Sequence, residues 1–392
     1  MTDTSLTVYL ADGERTACLL ARFDPRTGAL VCEGNAAADT RFNPLQEEPT
    51  AALLLDSLPD LWGRKVAGAL ERARARRSEV RARELDNSLL LESICDSDRM
   101  GALRFSQSGP ASFLGPRRYA APTQKDLSEL CQTARFIETG ENLSALTLER
   151  FAENAVALGG SRPKAGFVDE HGRLWMAKFP SDNDDRDKGA WEYCLTRLAR
   201  EAGIRTAPCR LHDVGDNRGR VFASCRFDRT SDGSRLPYLS ARALLGASTN
   251  RECRCYRDLV SIIERICSDV QREKEELWRR TVFKCLICDG DDHLRNLGFL
   301  CTGNGWMLAP VFDLNASLSK THLTMSYADG CRDLSVQAVL AAASDWGLES
   351  ARAREILDEV RATLIGWQKA AEELDIAADE IERMRPAFAL PC

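Results

Sequence analysis

The chain has 392 residues and a mass of 43.5 kDa, with 44% hydrophobic and 29% charged residues. This composition is typical of a folded protein and excludes a disordered one, and the length predicts roughly two or three domains. Lys and Arg total 53 against 59 for Asp and Glu, a net charge of −6, which disfavours a protein whose whole surface binds nucleic acid.

No stretch of the sequence has the ~18 consecutive apolar residues of a membrane helix, and the first residues have no secretory-signal pattern. We therefore expect a cytoplasmic protein without membrane association, whose 15 cysteines are reduced thiols. The close pairs Cys253/Cys255 and Cys285/Cys288 have no neighbouring Cys or His residues that would complete a zinc site. No zinc centre is predicted.

Residues 1–108 mix strand and helix patterns. Strands are predicted at residues 7–10 and 30–32. Residues 64–83 are predicted to form a helix with eight basic and two acidic residues. A solvated helix face explains this charge run, and a contact surface for a polyanion or acidic partner is the alternative. Residues 106–122 are rich in Ser, Gly and Pro and are predicted to be a linker.

The middle of the chain has the patterns of a small sheet. A strand–turn–strand is predicted over residues 165–180, and a further buried strand over residues 221–225. A helix is predicted from about residue 190 until Gly203 ends it. Beyond residue 240 the pattern is almost wholly helical, apart from a hairpin around residues 301–305. Strands first and helices second predict an α+β fold with segregated lobes.

The densest polar cluster of the helical half directly follows a mostly apolar run, and its members are Asp289, Asp291, Asp292, His293 and Asn296. These side chains cannot all be buried without partners, because an unpaired buried charge is costly. A polar helix terminus with capping aspartates is one interpretation. A calcium loop is excluded, because the twelfth position counted from Asp289 is Leu300 and not a glutamate.

Asp291 and Asn296 are five positions apart, the same interval as the Asp and Asn of the protein-kinase catalytic loop. In that loop the Asp meets the substrate hydroxyl and the Asn binds a magnesium ion on the ATP phosphates. Asp313 follows 17 residues after Asn296, and the intervening hairpin is expected to return it to the same cavity. Asp313 is therefore predicted to be the second magnesium ligand.

The strand-rich half supplies candidate phosphate contacts. Gly159, Gly160, Ser161 and Lys164 form a loop whose backbone N–H groups can approach phosphate oxygens, although it matches neither the Walker nor the kinase glycine motif. Lys178 follows Lys164 by 14 residues on a mostly apolar strand. A lysine in such a strand usually lies at a sheet edge with its ammonium in water, and phosphate binding is the functional alternative.

The segment after the strand at residues 221–225 falls where the hinge between two kinase lobes is expected. Backbone groups around Cys225 and Phe227 are predicted to bind adenine, and Asp228 is predicted to bind ribose. The glycine loop, the strand lysine, this hinge and the Asp–Asn pair occur in the order in which kinases place them. Each signal is modest alone, and their order makes the set informative.

On these motifs the sequence resembles the HipA family of bacterial serine/threonine kinase toxins. The matching stretches occur in family order and cover most of the chain, at residues 57–64, 100–105, 159–165, 177–180, 192–203, 226–229, 291–296 and 308–313. The Asp-Asp-His-Leu-Arg-Asn and Ala-Pro-Val-Phe-Asp segments are the most specific of them.

The resemblance implies a two-lobed protein-kinase-like α+β fold with a β-rich N-terminal half. Its expected parts are an N-terminal HipA-type subdomain (1–108), a nucleotide-binding small lobe (123–235) and a mainly helical catalytic lobe (236–392). It implies ATP and Mg²⁺ as cofactors and transfer of the γ-phosphate to a protein serine or threonine. An aminoacyl-tRNA synthetase is the candidate substrate, and a HipB-like DNA-binding antitoxin is the candidate partner.

Position by position, the resemblance assigns Asp291 as the catalytic aspartate and Lys178 as the nucleotide lysine. It assigns Asn296 and Asp313 as magnesium ligands. The remaining nucleotide contacts it implies come from the glycine loop, the hinge and the catalytic loop, at Gly159, Gly160, Ser161, Lys164, Cys225, Phe227, Asp228 and His293.

Two positions depart from the family pattern. Ala157 stands where family members often carry a serine whose autophosphorylation silences the kinase, so that Ser161 is the substitute considered for such a switch. Asp292 directly follows Asp291, and the choice of catalytic aspartate therefore depends on the spacing to Asn296.

Two other functions stay open at the level of sequence. One is a phosphotransferase for a small molecule, because a fold does not determine its substrate. The other is an inactive nucleotide-binding regulator that holds a DNA-binding partner. Degenerate kinases usually lose their lysine, aspartate or magnesium ligand, and this chain retains all of them. The sequence therefore favours an active kinase.

Overall fold

A computed structural model describes residues 5–12, 16–110, 112–246, 255–319, 322–327 and 330–388. The chain divides into two compact units, Met1–Asp185 with Arg210–Tyr238, and Arg186–Cys209 with Leu239–Cys392. Both units contain helices and strands, so the mixed α and β class is confirmed. The three predicted domain ranges stay a prediction.

The first unit begins with an antiparallel sheet of strand order β3-β2-β1-β4. Its strands are β1 (Leu6–Asp12), β2 (Thr16–Phe23), β3 (Leu30–Cys32) and β4 (Leu103–Ser106). Leu6 and the consecutive residues 8–11 of β1 are buried. Because successive side chains of a strand point to opposite faces, both faces of β1 are covered there. The strands predicted at residues 7–10 and 30–32 are confirmed.

A second sheet of the first unit has the order β5-β6-β8-β7. It consists of β5 (Lys164–Val168), β6 (Leu174–Lys178), β7 (Cys209–His212) and β8 (Val221–Cys225). The predicted strand–turn–strand and the predicted strand at residues 221–225 are confirmed. Trp175 and Ala177 of β6 are buried in the core, which places Lys178 on the opposite face of the sheet.

Four helices of the first unit accompany these sheets: α1 (Leu61–Arg77), α2 (Asn87–Ser93), α3 (Leu127–Thr139) and α4 (Ala145–Ala155). Side chains of α1, α3 and α4 share one hydrophobic core with β5, β6 and β8. Trp62 of α1 is central to it, because its ring packs edge-on against Phe151 and its indole N–H donates to the Lys164 carbonyl. The predicted segregation of strands from helices is therefore only partial.

The basic helix predicted over residues 64–83 ends earlier, at Arg77. Glu79 has a left-handed backbone with φ of 54°, which an α-helix cannot continue through. The chain then returns so that Arg83 pairs with Glu71 of α1 at 3.0 Å. One face of the helix, including Val66 and Leu70, is buried in the core, so α1 is solvated on its basic face only.

The second unit is mainly helical. Its helices are α5 (Lys188–Glu201), α6 (Ala241–Leu244), α7 (Tyr256–Ile266), α8 (Val270–Leu286), α9 (Val336–Ala341), α10 (Ser350–Leu364), α11 (Trp367–Glu372) and α12 (Ala378–Met384). Helix α5 confirms the helix predicted before Gly203, which adopts a left-handed φ of 79°.

A small sheet of order β11-β10-β9 contains β9 (Tyr238–Ser240), β10 (Gly298–Thr302) and β11 (Gly305–Leu308). Strands β10 and β11 are the predicted hairpin.

In the described part of the chain, every helix is too short or too polar to span a membrane. The cysteines of these same ranges are free thiols, and no three His, Cys, Asp or Glu side chains there form a group that would hold a metal. A magnesium ion with one protein carboxylate, one amide and phosphate ligands needs no such group. Cys253, of the first predicted cysteine pair, lies outside the described residues.

Candidate functional site

The loop between α8 and β10 carries the predicted Asp–Asn pair. Helix α8 ends at Leu286, and Cys288 has a left-handed φ of 52° that turns the chain out of the helix. Further along, the Asn296 side-chain amide donates a hydrogen bond to the Asp291 carbonyl oxygen at 2.8 Å. This bond uses the nitrogen of the amide, so its oxygen is the atom oriented for binding a cation.

Burial distinguishes the two adjacent aspartates. Asp292 is fully buried, and its carboxylate accepts hydrogen bonds from the Tyr256 hydroxyl at 2.8 Å and the Thr324 N–H at 2.5 Å. Burial raises the pKa of Asp292. The Asp291 side chain is exposed. Asp292 therefore holds the loop through its buried hydrogen bonds, and Asp291 is the one of the two carboxylates that solvent can reach.

His293 lies in the same loop with a half-buried imidazole. Its backbone carbonyl accepts the Asn296 N–H at 2.8 Å, which closes a tight turn. The ring Nδ1 is buried and has no hydrogen-bond partner among the described residues. An unpartnered buried nitrogen is compatible with a ligand contact, and the predicted nucleotide contact of His293 stays a prediction.

The β10–β11 hairpin returns the chain to the start of β10, where the Ala309 N–H donates to the Gly298 carbonyl at 2.8 Å. Four residues further, Asp313 has a left-handed φ of 56°. Non-glycine residues adopt this conformation rarely, and such residues concentrate at functional sites. The Asn315 N–H then donates to the Asp289 carboxylate at 3.3 Å, so the segment of Asp313 contacts the loop of Asp291.

In the first unit, Lys164 and Lys178 are directly opposite each other on β5 and β6. Strand β6 is internal to its sheet, and Lys178 is only 5% exposed, so the interpretation as a solvated edge lysine is wrong. Lys164 is 3% exposed, and its ammonium donates to the Gly159 carbonyl. Like charges directly opposite on a sheet are destabilising, and a phosphate bound between the two lysines would offset their repulsion.

The glycine loop is held by the N-terminal end of α1. The Gly160 N–H donates to the Asp60 carboxylate at 2.9 Å, and the Trp62 N–H donates to the Gly160 carbonyl at 3.0 Å. The Gly160 N–H is therefore engaged by protein and would bind phosphate only after release from Asp60. Ser161 is exposed. The contact of Asp60 with the glycine loop was not predicted from the sequence. Asp60 lies just before α1, and a helix-capping pattern does not reveal that its carboxylate binds Gly160, 100 residues away.

Two features of Gly160 require a glycine, its backbone conformation and its close approach to Lys164. Substitution by alanine should affect stability through the first and ATP binding through the second. Its φ of 86° is strained for any other residue, and a Cβ would lie 2.5 Å from the Lys164 ammonium nitrogen. Gly172 is a matched control, with φ of 75° and no atom within 4 Å of its Cβ position. Both Gly160→Ala and Gly172→Ala are expected to lower the free energy of unfolding in urea by about 1–2 kcal/mol.

Only Gly160→Ala should also displace the Lys164 ammonium, and hence weaken binding of an anionic nucleotide. Isothermal titration of ATP into both variants would measure this. Equal ATP affinity in the two variants would show that the position of the Lys164 ammonium does not matter for the nucleotide.

The predicted hinge contains a buried ionic cluster. Asp228 is fully buried, pairs with Arg226 at 2.6 Å and Arg229 at 2.7 Å, and accepts the Gly101 N–H at 2.7 Å. Burial raises the pKa of Asp228, but the two guanidinium charges outweigh it and hold the pKa below its ordinary value. These contacts favour a structural role, and the predicted ribose contact would require Asp228 to exchange one of them.

Cys225 and Phe227, whose backbone groups are predicted to bind adenine, are each partly accessible. Cys225 ends β8 and is partly buried, and the next N–H, that of Arg226, donates to the Leu174 carbonyl at 2.9 Å. The Phe227 ring lies 5.8 Å from that of Tyr238. Their assignment to adenine stays a prediction.

A family model described as the HipA-like C-terminal domain matches residues 156–367. The chain belongs to the HipA family. The match includes the glycine loop, β5 to β8, the Asp–Asn loop and Asp313, so the resemblance predicted from the sequence is confirmed. No curated protein matches the chain.

A solved structure of HipA from Shewanella oneidensis MR-1, in a complex of HipA, HipB and operator DNA, is similar in fold. Its TM-score is 0.65 at 16% sequence identity, over 98% of this chain and 96% of that one. The proinflammatory kinase CtkA of Helicobacter pylori matches 57% of this chain and 92% of its own, at 13% identity and a TM-score of 0.37. Since the HipA similarity covers 98% of this chain, the similarity in fold extends to the part before residue 156.

Proposed function

We propose that the protein is an ATP-dependent serine/threonine protein kinase of the HipA toxin type, with the two-lobed layout of kinases. The observation that carries this proposal is the pairing of Asn296 with Asp291 in a loop where Asp291 is exposed and Asp292 is buried. A kinase catalytic loop needs this combination of an accessible carboxylate and an oriented amide. Membership of the HipA family supports it.

The residues present suit ATP and magnesium. The paired lysines Lys164 and Lys178 supply buried positive charge for phosphates, and Asn296 and Asp313 supply the oxygen donors that magnesium prefers. Bound Mg²⁺-ATP supplies the γ-phosphoryl group. In this proposal Asp291 orients the substrate hydroxyl and accepts its proton. The Asn296 amide nitrogen donates to the Asp291 carbonyl, so its oxygen would be available to hold the metal.

A HipB-like DNA-binding protein is the proposed partner, because the similar Shewanella HipA is found in a complex with HipB and operator DNA. The proposed substrate is a protein hydroxyl, and an aminoacyl-tRNA synthetase is the candidate that the family resemblance implies. In the glycine loop, Ala157 is partly buried against the core and has no hydroxyl, whereas Ser161 is exposed. Self-silencing by loop phosphorylation therefore has Ser161 as its candidate acceptor in this loop.

The proposal is tested by incubating the purified chain with Mg²⁺-ATP and a bacterial lysate, and mapping phosphopeptides by mass spectrometry against the Asp291→Asn variant. New phosphoserine or phosphothreonine on one or a few lysate proteins is expected with the wild type only. ATP consumption with phosphate on small molecules alone would favour the small-molecule transferase. ATP binding with no transfer at all would favour the inactive regulator.

A further inference from the structure

A carboxylate below the catalytic loop contacts both segments on which the proposed function depends. Asp289 is 0% exposed. Its Oδ1 accepts the Asp291 N–H at 3.2 Å, and its Oδ2 accepts the Asn315 N–H at 3.3 Å. One oxygen therefore holds the backbone of the proposed catalytic aspartate, and the other holds the backbone two residues after the proposed metal ligand Asp313.

A buried cation lies beside this carboxylate. Lys284, in the last turn of α8, is 2% exposed, and its carbonyl accepts the Asp289 N–H at 2.9 Å. Its ammonium has no hydrogen-bond partner among the described residues. A buried charge without a hydrogen bond is costly, so its retention needs an electrostatic reason.

The Lys284 ammonium interacts electrostatically with Asp289 and Asp292. Burial raises the pKa of Asp289 to about 6 and raises that of Asp292, and the Lys284 ammonium opposes both shifts. Asp292 already accepts the Tyr256 hydroxyl and the Thr324 N–H. The three ionisable side chains together form one buried cluster under the loop, with one positive and two negative charges when all are ionised.

We propose that Asp289, with Lys284 as its buried counter-cation, is a positioning residue that couples the backbone of Asp291 to the segment of Asp313. The roles of Asp291 and Asp313 in this inference rest on the proposed function. The coupling between their segments rests only on the hydrogen bonds of Asp289. Both carboxylate oxygens accept backbone N–H groups, so the carboxylate acts by fixing the backbone that carries Asp291 and Asp313. A neutral amide cannot replace it, because its single oxygen accepts in the place of one carboxylate oxygen only.

The test compares the full chain with Asp289→Asn by amide hydrogen exchange resolved at residues 291 and 315. Exchange at one or both N–H groups is expected to become about tenfold faster or more, since a hydrogen-bond acceptor is lost. Affinity for Mg²⁺-ATP, measured by isothermal titration, should fall about 10- to 100-fold, the usual effect of removing a group that orients a metal ligand. In EDTA the ATP affinity should change far less.

Glu273→Gln is the matched control. Glu273 is also a buried carboxylate of α8, and it accepts the Leu308 N–H and pairs with Arg205, away from the Asp291 loop. It should lose stability without faster exchange at residues 291 and 315. The double variant Lys284→Met/Asp289→Asn keeps the net charge of the cluster, and it provides the same test if Asp289→Asn alone does not fold.

Unchanged exchange at both amides in a folded Asp289 variant would overturn the coupling. So would a loss of Mg²⁺-ATP affinity equal to that in EDTA. A wild-type chain that binds no Mg²⁺-ATP would instead overturn the proposed function, and the exchange result would still decide whether Asp289 couples the two segments.

Discussion

The Asp291→Asn variant is expected to bind Mg²⁺-ATP with nearly wild-type affinity and to lose phosphotransfer by about 10²- to 10⁴-fold, the usual contribution of a general base. The proposed nucleotide contacts come from other residues, chiefly Lys178 and the metal ligands. The exposed Asp291 side chain makes no described contact that holds the loop, whereas its backbone does through Asn296 and Asp289. Isothermal titration of Mg²⁺-ATP and radiolabelled phosphotransfer measure the two quantities.

Asp292→Asn, at the neighbouring position, is the control. It is expected to lose stability and keep phosphotransfer activity, whereas Asp291→Asn is expected to lose activity. Its carboxylate accepts two buried hydrogen bonds, from Tyr256 and Thr324. An asparagine satisfies both donors poorly, so the free energy of unfolding should fall by about 1–3 kcal/mol while the folded fraction retains activity. A dead Asp292→Asn variant beside an active Asp291→Asn variant would show that the catalytic assignment is wrong.

Replacing Asp313 by alanine should weaken ATP binding strongly in magnesium and little in EDTA. In the proposed function Asp313 is a direct magnesium ligand, and the expected loss of affinity in magnesium is about 10- to 100-fold or more. Titration of ATP in both buffers measures it. Equal losses in the two buffers would remove Asp313 from the metal site.

Asp375→Ala is the control for the effect of replacing an aspartate that has a left-handed backbone conformation. Asp375 is exposed and has a left-handed φ of 53°, close to the 56° of Asp313. Alanine tolerates this conformation less well than aspartate, so both variants should lose similar stability. Only Asp313→Ala should change the magnesium dependence of ATP binding.

Local patterns in the sequence were sufficient for some of the strands, such as β1, β5, β6 and β8, and for the choice of loop. They did not reveal β2, β4, β7 or β9. Strand β8 has the predicted bounds, because it is a short, mostly apolar run that begins with a β-branched and an aromatic residue and lies between polar segments. The end of α1 was predicted too late, because basic residues are good helix formers and the return of Arg83 to Glu71 is a tertiary contact.

The supporting contacts of the candidate site could not be predicted in the same way. Lys284 lies within an apolar run, which indicates a buried helix end but does not reveal that the lysine itself is buried. The spacing to Asn296 indicates Asp291, and only the burial of Asp292 explains why its neighbour is unsuitable. Asp60 and Gly160 are 100 residues apart, and no local pattern connects them.

The attachment of the glycine loop to α1 bears on how this protein can be shortened for expression. The family model begins at residue 156, after α1 and α4. A chain cut there would lack the Trp62 indole that binds the Lys164 carbonyl and the Asp60 carboxylate that holds Gly160. It would also leave Phe167 and Trp175, now buried, without the helices that cover them. The sequence family and the folding unit thus have different boundaries, and a soluble fragment with an ordered glycine loop has to begin before residue 60.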